Sequence, residues 1–484
     1  MCGVIGLICE HFRNDLGRVA ADLLKTLEYR GYDSTGGALQ GRGLEVQLVK
    51  GVGAPSVMVD QLGITEMAGQ IFCGQVRWAT FGAVTDKNSQ PHLVQCKTLL
   101  YGAHNGNITN CDDLKAWLTS EGHQVLSDND GEMVVHTVEH YFAQELGPDE
   151  PQEASERRAA MRRALLMAAK RLEGSYAAVI VDPVSRTVWA IKQGSSLYFG
   201  IGQDEASGRF GIASSDLSSV LKLTRVVVPL LEGDFVEYTP EAHTIYAICP
   251  RVVREGKAER QIAAGEELRR SPVRSRLRAK DTALLPPFET FMDQEISAQE
   301  ETARNVVTLF RGGSEGVSMI QPTLAACPSD DLAAIRADLD LLRDEYDDEV
   351  IRAQFHALVQ SPPLAGLLDA IPPEIAAAGI DEPAEQLAER LVSSDAGFFT
   401  DLFTMARDRR DLLAVRLFDV LLEREEVQEF ATAVDRFAGI CMESLARGGR
   451  IFAVCCGTSY HAAKAATLFF NEIARTELIP ILPG

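Results

Sequence analysis

The chain has no run of about 18 apolar residues, so nothing in it reads as a membrane-spanning helix. Its start shows no basic stretch followed by an apolar core and a small-residue cleavage site, which leads to the expectation of a cytoplasmic protein. Positive charge is also short. Against 69 Asp and Glu stand 47 Lys and Arg, a formal net charge of −22, and a surface of that sign repels nucleic acid and anionic lipid. The ten cysteines are scattered, and the one close pair, Cys455 and Cys456, is adjacent rather than a CxxC unit. This usage fits reduced thiols rather than a disulfide framework. There is no internal repeat.

What is present is an ordinary globular balance, 46% hydrophobic and 24% charged, over 484 residues. That length is too great for one core and implies two or three domains. Residues 1–245 alternate short β-rich runs (Val4–Cys9, Gln70–Val76, Thr98–Ala103, Ala177–Val181, Thr187–Ile191) with helical stretches at Arg18–Tyr29, Gly131–Leu146 and Ala154–Arg171, an α+β pattern. Residues 246–311 read as a linker and interdomain connection: Pro250 to Pro287 is polar, charged and bounded by prolines, and its basic run from Arg251 to Lys280 reads as a solvated linker. Residues 312–445 have helical periodicity broken by prolines. From 446 to 484 an apolar strand, a tight turn and a helix open an α/β unit.

The chemistry-bearing residues begin at position 2. Removal of Met1 would give Cys2 both a thiol nucleophile and a free α-amine of pKa about 8, able to act as its base. Four segments follow in order: Leu27–Gly36 (LEYRGYDSTG), Val76–Thr80 (VRWAT), His104–Asn107 (HNGN) and Ser127–Glu132 (SDNDGE). An attacking thiolate needs preorganised donors for the oxyanion it creates, and the Asn105 side-chain amide and the Gly106 backbone N–H are suitable. A free amino acid substrate needs a cation for its carboxylate and an acceptor for its ammonium, for which Arg77 and Asp130 are candidates.

In these motifs the chain resembles the class II glutamine amidotransferases over residues 2 to about 240. Among them it is most similar to those that deliver ammonia to fructose 6-phosphate. The resemblance implies an N-terminal-nucleophile hydrolase, an αββα sandwich, with Cys2, Asn105 and Gly106 catalytic. It also implies that Arg30, Arg77, Trp78, Thr80 and Asp130 serve glutamine, Trp78 lying in a closing lid and Arg30 ordering the Cys2 region. At the other end, Thr458 and Ser459 match sugar-phosphate contacts at the start of a sugar isomerase (SIS) domain, and the expected product is glucosamine 6-phosphate. No cofactor is implied, and the complete enzyme would be a homodimer. The chain departs from its relatives at Gln75 and Phe81, where they carry histidine, and its HNGN segment is closer to the phosphoribosyl-pyrophosphate amidotransferases. The alternatives are a different acceptor or a non-catalytic sugar-phosphate sensor.

One rival pattern is His136-x-x-Glu139-His140, the H-x-x-E-H of a zinc peptidase family. It has no identifiable third ligand and coincides with the helix after Asp130. It reads as an ordinary structural helix, with no metal assigned.

Overall fold

The computed structural model describes residues 2–79, 82–255, 258–288, 291–371, 390–454, 457–473 and 478–481. The chain divides into two compact units, Met1–Phe291 with Arg343–Ile351, and Met292–Leu342 with Arg352–Gly484.

The first unit is built on strands β1 (Gly3–Arg13), β2 (Ser34–Gln40), β3 (Val46–Val52), β4 (Gly69–Arg77), β5 (His92–Val94), β6 (Leu100–Ile108), β7 (Gly174–Asp182), β8 (Thr187–Gln193), β9 (Tyr198–Asp204), β10 (Gly208–Ser214), β11 (Val226–Val228), β12 (Asp234–Tyr238) and β13 (His243–Ala247). Two sheets result. One runs β11-β9-β10-β1-β4-β2-β3 with Val273–Arg274 added beyond β11, and the other runs β13-β12-β8-β7-β6-β5 with Glu267–Leu268 added beyond β13. The helices are α1 (Leu16–Thr26), α2 (Pro55–Gln61), α3 (Cys111–Ser120), α4 (Asp130–Leu146), α5 (Ala154–Arg171) and α6 (Leu217–Leu221).

Strand alternation sorts the apolar side chains into three cores, one for each junction between four layers. Ile5, Leu7 and Cys9 of β1 face Leu16, Ala20, Leu23 and Leu24 of α1. Val4 and Ile8, on the opposite face of β1, meet Ala177, Val179 and Val181 of β7 between the sheets. Ala178 and Ile180, on the other side of β7, pack on Met133 and Val134 of α4 and Met161 and Leu165 of α5. This is the expected αββα sandwich. Both faces of the central strands are buried, which is why β1 and β7 read as near-continuous apolar runs rather than alternating ones. The sheets pack tightly at Gly6, where an added Cβ would lie 2.6 Å from Val179 Cγ1. There Tyr238 Oη donates to the Gly6 carbonyl at 2.9 Å.

The linker expected over 246–311 is corrected in its first part. Arg251–Glu255 pairs with Ala258–Ile262 as a hairpin, and two further short strands extend the sheets. The basic residues that suggested solvation have acidic partners remote in sequence: Arg251 and Arg270 both pair with the buried Asp234 carboxylate, and Arg274 with Asp348 at 2.6 Å.

In the second unit, helices Glu315–Ala326, Pro362–Ala370, Ala396–Met405 and the first half of Arg409–Ala446 bury Leu324, Leu364, Phe399, Leu402 and Phe418. Pro362 occupies a helix start, where its missing N–H has no consequence. At the end of the chain Ile451–Val454 pairs in parallel with Leu478–Ile481 across helix Gly457–Ile473, so the expected strand–helix opening is completed by a second short strand.

Candidate active site

Cys2 lies at the end of β1, next to Gly3, which pairs with Val76 of β4. The strand pairing therefore sets its place, and its Sγ accepts from the Trp78 N–H at 3.3 Å and donates to the Trp78 carbonyl at 3.4 Å. Burial pushes the thiol pKa up; the Trp78 backbone bond opposes this and the Asp130 charge adds to it. A thiol held up in this way needs a base beside it before it can attack.

Arg77, at the end of β4, is 2% exposed. Its Nη1 donates to the Ala83 carbonyl at 3.0 Å and its Nη2 to the Gly82 carbonyl at 3.1 Å, so the loop after Trp78 fixes the fork. Burial lowers its pKa, against the Cys2, Asp130 and Asp33 charges that raise it. Asp130 is the first residue of α4, and the preceding Asn129 caps the helix through its side chain to the Gly131 N–H at 2.9 Å. Asp130 Oδ2 accepts from the Ile108 N–H at 3.1 Å and meets His104 Nε2 at 3.2 Å. Burial would raise its pKa, but His104 and the backbone N–H bonds prevail and hold the carboxyl below its usual value. Cys2, Arg77 and Asp130 thus share one electrostatic neighbourhood, each acting on another.

Asn105 and Gly106 lie on β6 opposite Ala177 and Tyr176. Gly106 has φ +148°, and a Cβ there would stand 2.0 Å from the Ser175 carbonyl, so only glycine fits this backbone. Arg30 sits in the turn after α1 and bonds the Ser215 carbonyl at 3.0 Å and Asp216 Oδ2 at 2.5 Å. Tyr29 also donates to Asp216. Ser215 Oγ in turn accepts from the Val4 N–H at 3.0 Å, so Arg30 reaches the nucleophile strand through the Ser215–Asp216 turn. Trp78 is 42% exposed and packs edge-on against Tyr32 with centroids 5.1 Å apart. Thr80 and Phe81 lie outside the described residues. Thr458 and Ser459 fall in the first turn of Gly457–Ile473 in the second unit.

Two contributors, His104 and Asp33, were given no role in the sequence, and Gln75 was noted there only as a departure from the relatives. His104 was part of a quoted motif without a role, yet it pairs with Asp130 and is itself gripped by Gln90, whose Oε1 accepts the His104 N–H at 2.8 Å. Asp33 accepts from the Ala79 N–H at 2.7 Å. Gln75 is wholly buried, and both its amide atoms have no hydrogen-bond partner among the described residues.

Buried Cys2, Arg77 and Asp130 stand in one neighbourhood on the αββα frame, and residues 76–220 match the glutamine amidotransferase domain family. The match assigns a glutamine amidotransferase domain to that segment. An isomerizing glutamine–fructose-6-phosphate aminotransferase of Sulfurisphaera tokodaii is 33% identical over 247 residues, 51% of this chain and 38% of that protein. The corresponding aminotransferase of Clostridium tetani is 30% identical over 312 residues, 64% of this chain and 44% of that protein. The chain therefore spans less than half the length of these curated relatives. The solved glutamine phosphoribosylpyrophosphate amidotransferase of B. subtilis aligns with a TM-score of 0.40 at 20% identity, covering 51% of this chain and 49% of that chain. Among the described residues no helix is long and apolar enough to cross a membrane.

Proposed function

We propose that the chain hydrolyses glutamine at Cys2 and that the ammonia is destined for fructose 6-phosphate, giving glucosamine 6-phosphate in the complete enzyme. The observation that carries the reading is the placement of Cys2 Sγ on the Trp78 backbone in the field of Arg77 and Asp130. Arg77 takes the glutamine carboxylate and Asp130 its ammonium, which selects free glutamine over amides within peptides. With Met1 removed, the Cys2 amine accepts the thiol proton as sulfur attacks the side-chain carbonyl carbon. The oxyanion rests on the Asn105 amide and the Gly106 N–H. The amine returns the proton to the leaving nitrogen, the C–N bond breaks, and ammonia departs from a γ-glutamyl thioester. Water then cleaves the C–S bond, releasing glutamate and restoring the thiol.

Trp78, with Thr80 in the same segment, closes over the bound amino acid and delays that water. Arg30 keeps the Ser215–Asp216 turn against the nucleophile strand. In the second unit the start of Gly457–Ile473, with Thr458 and Ser459, is suited to a sugar phosphate because the first turn of a helix presents unpaired N–H groups. The whole enzyme acts in the cytoplasm as a homodimer.

Intact-mass analysis after exposure to a glutamine-mimicking diazoketone tests this. One adduct on a chain lacking Met1 is expected, and Cys2→Ala should lose both the adduct and ammonia release, the latter by about 10⁴-fold or more. Retention of Met1 in active protein, or labelling that survives Cys2→Ala, would overturn the proposal.

A further inference from the structure

Midway along α4, away from the glutamine site, a second polar cluster is buried. His136 Nδ1 and His123 Nδ1 each lie 3.0 Å from the same Glu139 oxygen, Oε2, and 3.3 Å from each other. Cys96 Sγ joins them, all four atoms lying within 4.8 Å of one another. Side chains of His123 and Glu139 are 0% exposed and that of His136 is 2%. His136 and Glu139 share a helix face because they are three residues apart. His123 comes from the α3–α4 connection and Cys96 from the turn between β5 and β6.

We propose that Cys96, His123, His136 and Glu139 form a structural zinc site. Ligands held about 2.0–2.1 Å from a tetrahedral zinc ion lie roughly 3.3–3.4 Å apart, with somewhat more to a sulfur. The three edges of 3.0, 3.0 and 3.3 Å already approach that triangle, and Cys96 Sγ lies within 4.8 Å of all three atoms. The donor set of one thiolate, two imidazoles and one carboxylate selects zinc over magnesium or calcium, which take oxygen. Its charge also balances: thiolate and carboxylate against a dication leave a neutral buried centre.

Polar groups also surround the ligands. A ligating imidazole needs a partner for its other nitrogen. His136 Nε2 has Glu132 Oε1 at 3.6 Å, and His123 Nε2 has His140 Nδ1 at 3.2 Å. Glu139 presents one oxygen to the centre while the other accepts the N–H groups of Lys97 at 2.6 Å and Thr98 at 3.2 Å, the arrangement of a monodentate ligand. Cys96 Sγ accepts the Gln124 N–H at 3.2 Å, a bond that favours the thiolate.

The site differs from the peptidase pattern that its sequence resembles. Glu139 is a ligand rather than a base, His140 stands behind His123, and four protein ligands leave no position for water, so the centre holds structure rather than performing hydrolysis. What it holds is specific: it ties α4, which begins at Asp130, to the segment entering β6, which carries Asn105 and Gly106.

The test is elemental analysis of full-length protein purified without a metal-affinity tag, followed by cobalt substitution. About one zinc per chain is expected, surviving dialysis, and its removal by a strong chelator should lower the melting temperature by about 5–10 °C, restored by zinc. The cobalt form should show a thiolate-to-metal charge-transfer band that Cys96→Ser abolishes while the ligand-field bands persist. That variant keeps three ligands and so tests the assignment even if His123→Ala does not fold. Zinc below about 0.1 per chain with none taken up on incubation, or a charge-transfer band unchanged in Cys96→Ser, overturns the proposal.

Discussion

One helix carries two buried polar centres of opposite temper. At its first residue, Asp130 acts on a thiol whose pKa burial has raised, the thiol bonded to the backbone of a half-exposed tryptophan three residues from a fully buried glutamine whose amide has no partner among the described residues. Two turns further on, His136 and Glu139 sit in a cluster where the second Glu139 oxygen already accepts two backbone N–H groups. The difference separates turnover from holding. A pocket that must accept, change and release a substrate keeps polar capacity in reserve, at a cost in stability. A centre whose task is to stay put has none to spare.

The comparison breaks first at Asp130. If its carboxylate reads the substrate ammonium, Asp130→Asn should raise the KM for glutamine by about 100-fold, the loss of a charge-assisted bond worth roughly 2–3 kcal/mol; steady-state ammonia release measures it. A variant that melts early with an unchanged KM would make Asp130 a mere helix start. Its pH dependence has a definite sign. Because the folded carboxyl is held below its unfolded value, its stabilising contribution is present above the unfolded pKa and is lost as pH falls through the folded one, which acid titration of wild type against Asp130→Asn would display.

A smaller effect sharpens the idea of polar reserve. Gln75→Leu removes an amide that has no partner among the described residues and should raise stability by about 1–2 kcal/mol in denaturant unfolding. Smaller still is the effect of Lys50. Burial lowers its pKa to about 8, while its Nζ donates to the Ser89 carbonyl at 2.7 Å beside the Gln90 that grips His104. Since the folded state binds this proton less tightly than the unfolded chain, stability should rise between about pH 8 and the normal lysine range, and Lys50→Met should flatten that rise.

The sequence was most informative where function is local. Cys2, Arg77 and Asp130 stand within short motifs whose chemistry is visible residue by residue, and Ala154–Arg171 declares itself by period alone. What escaped depended on distance. His104 acquires its role only when β6 is laid beside the start of α4, and the basic residues of 251–274 find Asp234 and Asp348 remote in the chain. The histidine cluster shows the same limit more sharply. His136-x-x-Glu139-His140 suggested two histidines on one face, but the atoms that converge come from Cys96 and His123, 40 and 13 residues away from His136, and no local spacing marks either.

On the proposed reading, the bond from Tyr238 to Gly6 has a consequence for how glutamine would enter. It fastens the nucleophile's strand to the opposite sheet only four residues from the reacting sulfur, in a seam too narrow for even one methyl group. The sulfur is thereby an anchored reference point, and accommodation of an arriving amino acid falls to the outer wall at Trp78 and Tyr32. Selectivity on such a frame is written by what moves, and chemistry by what does not.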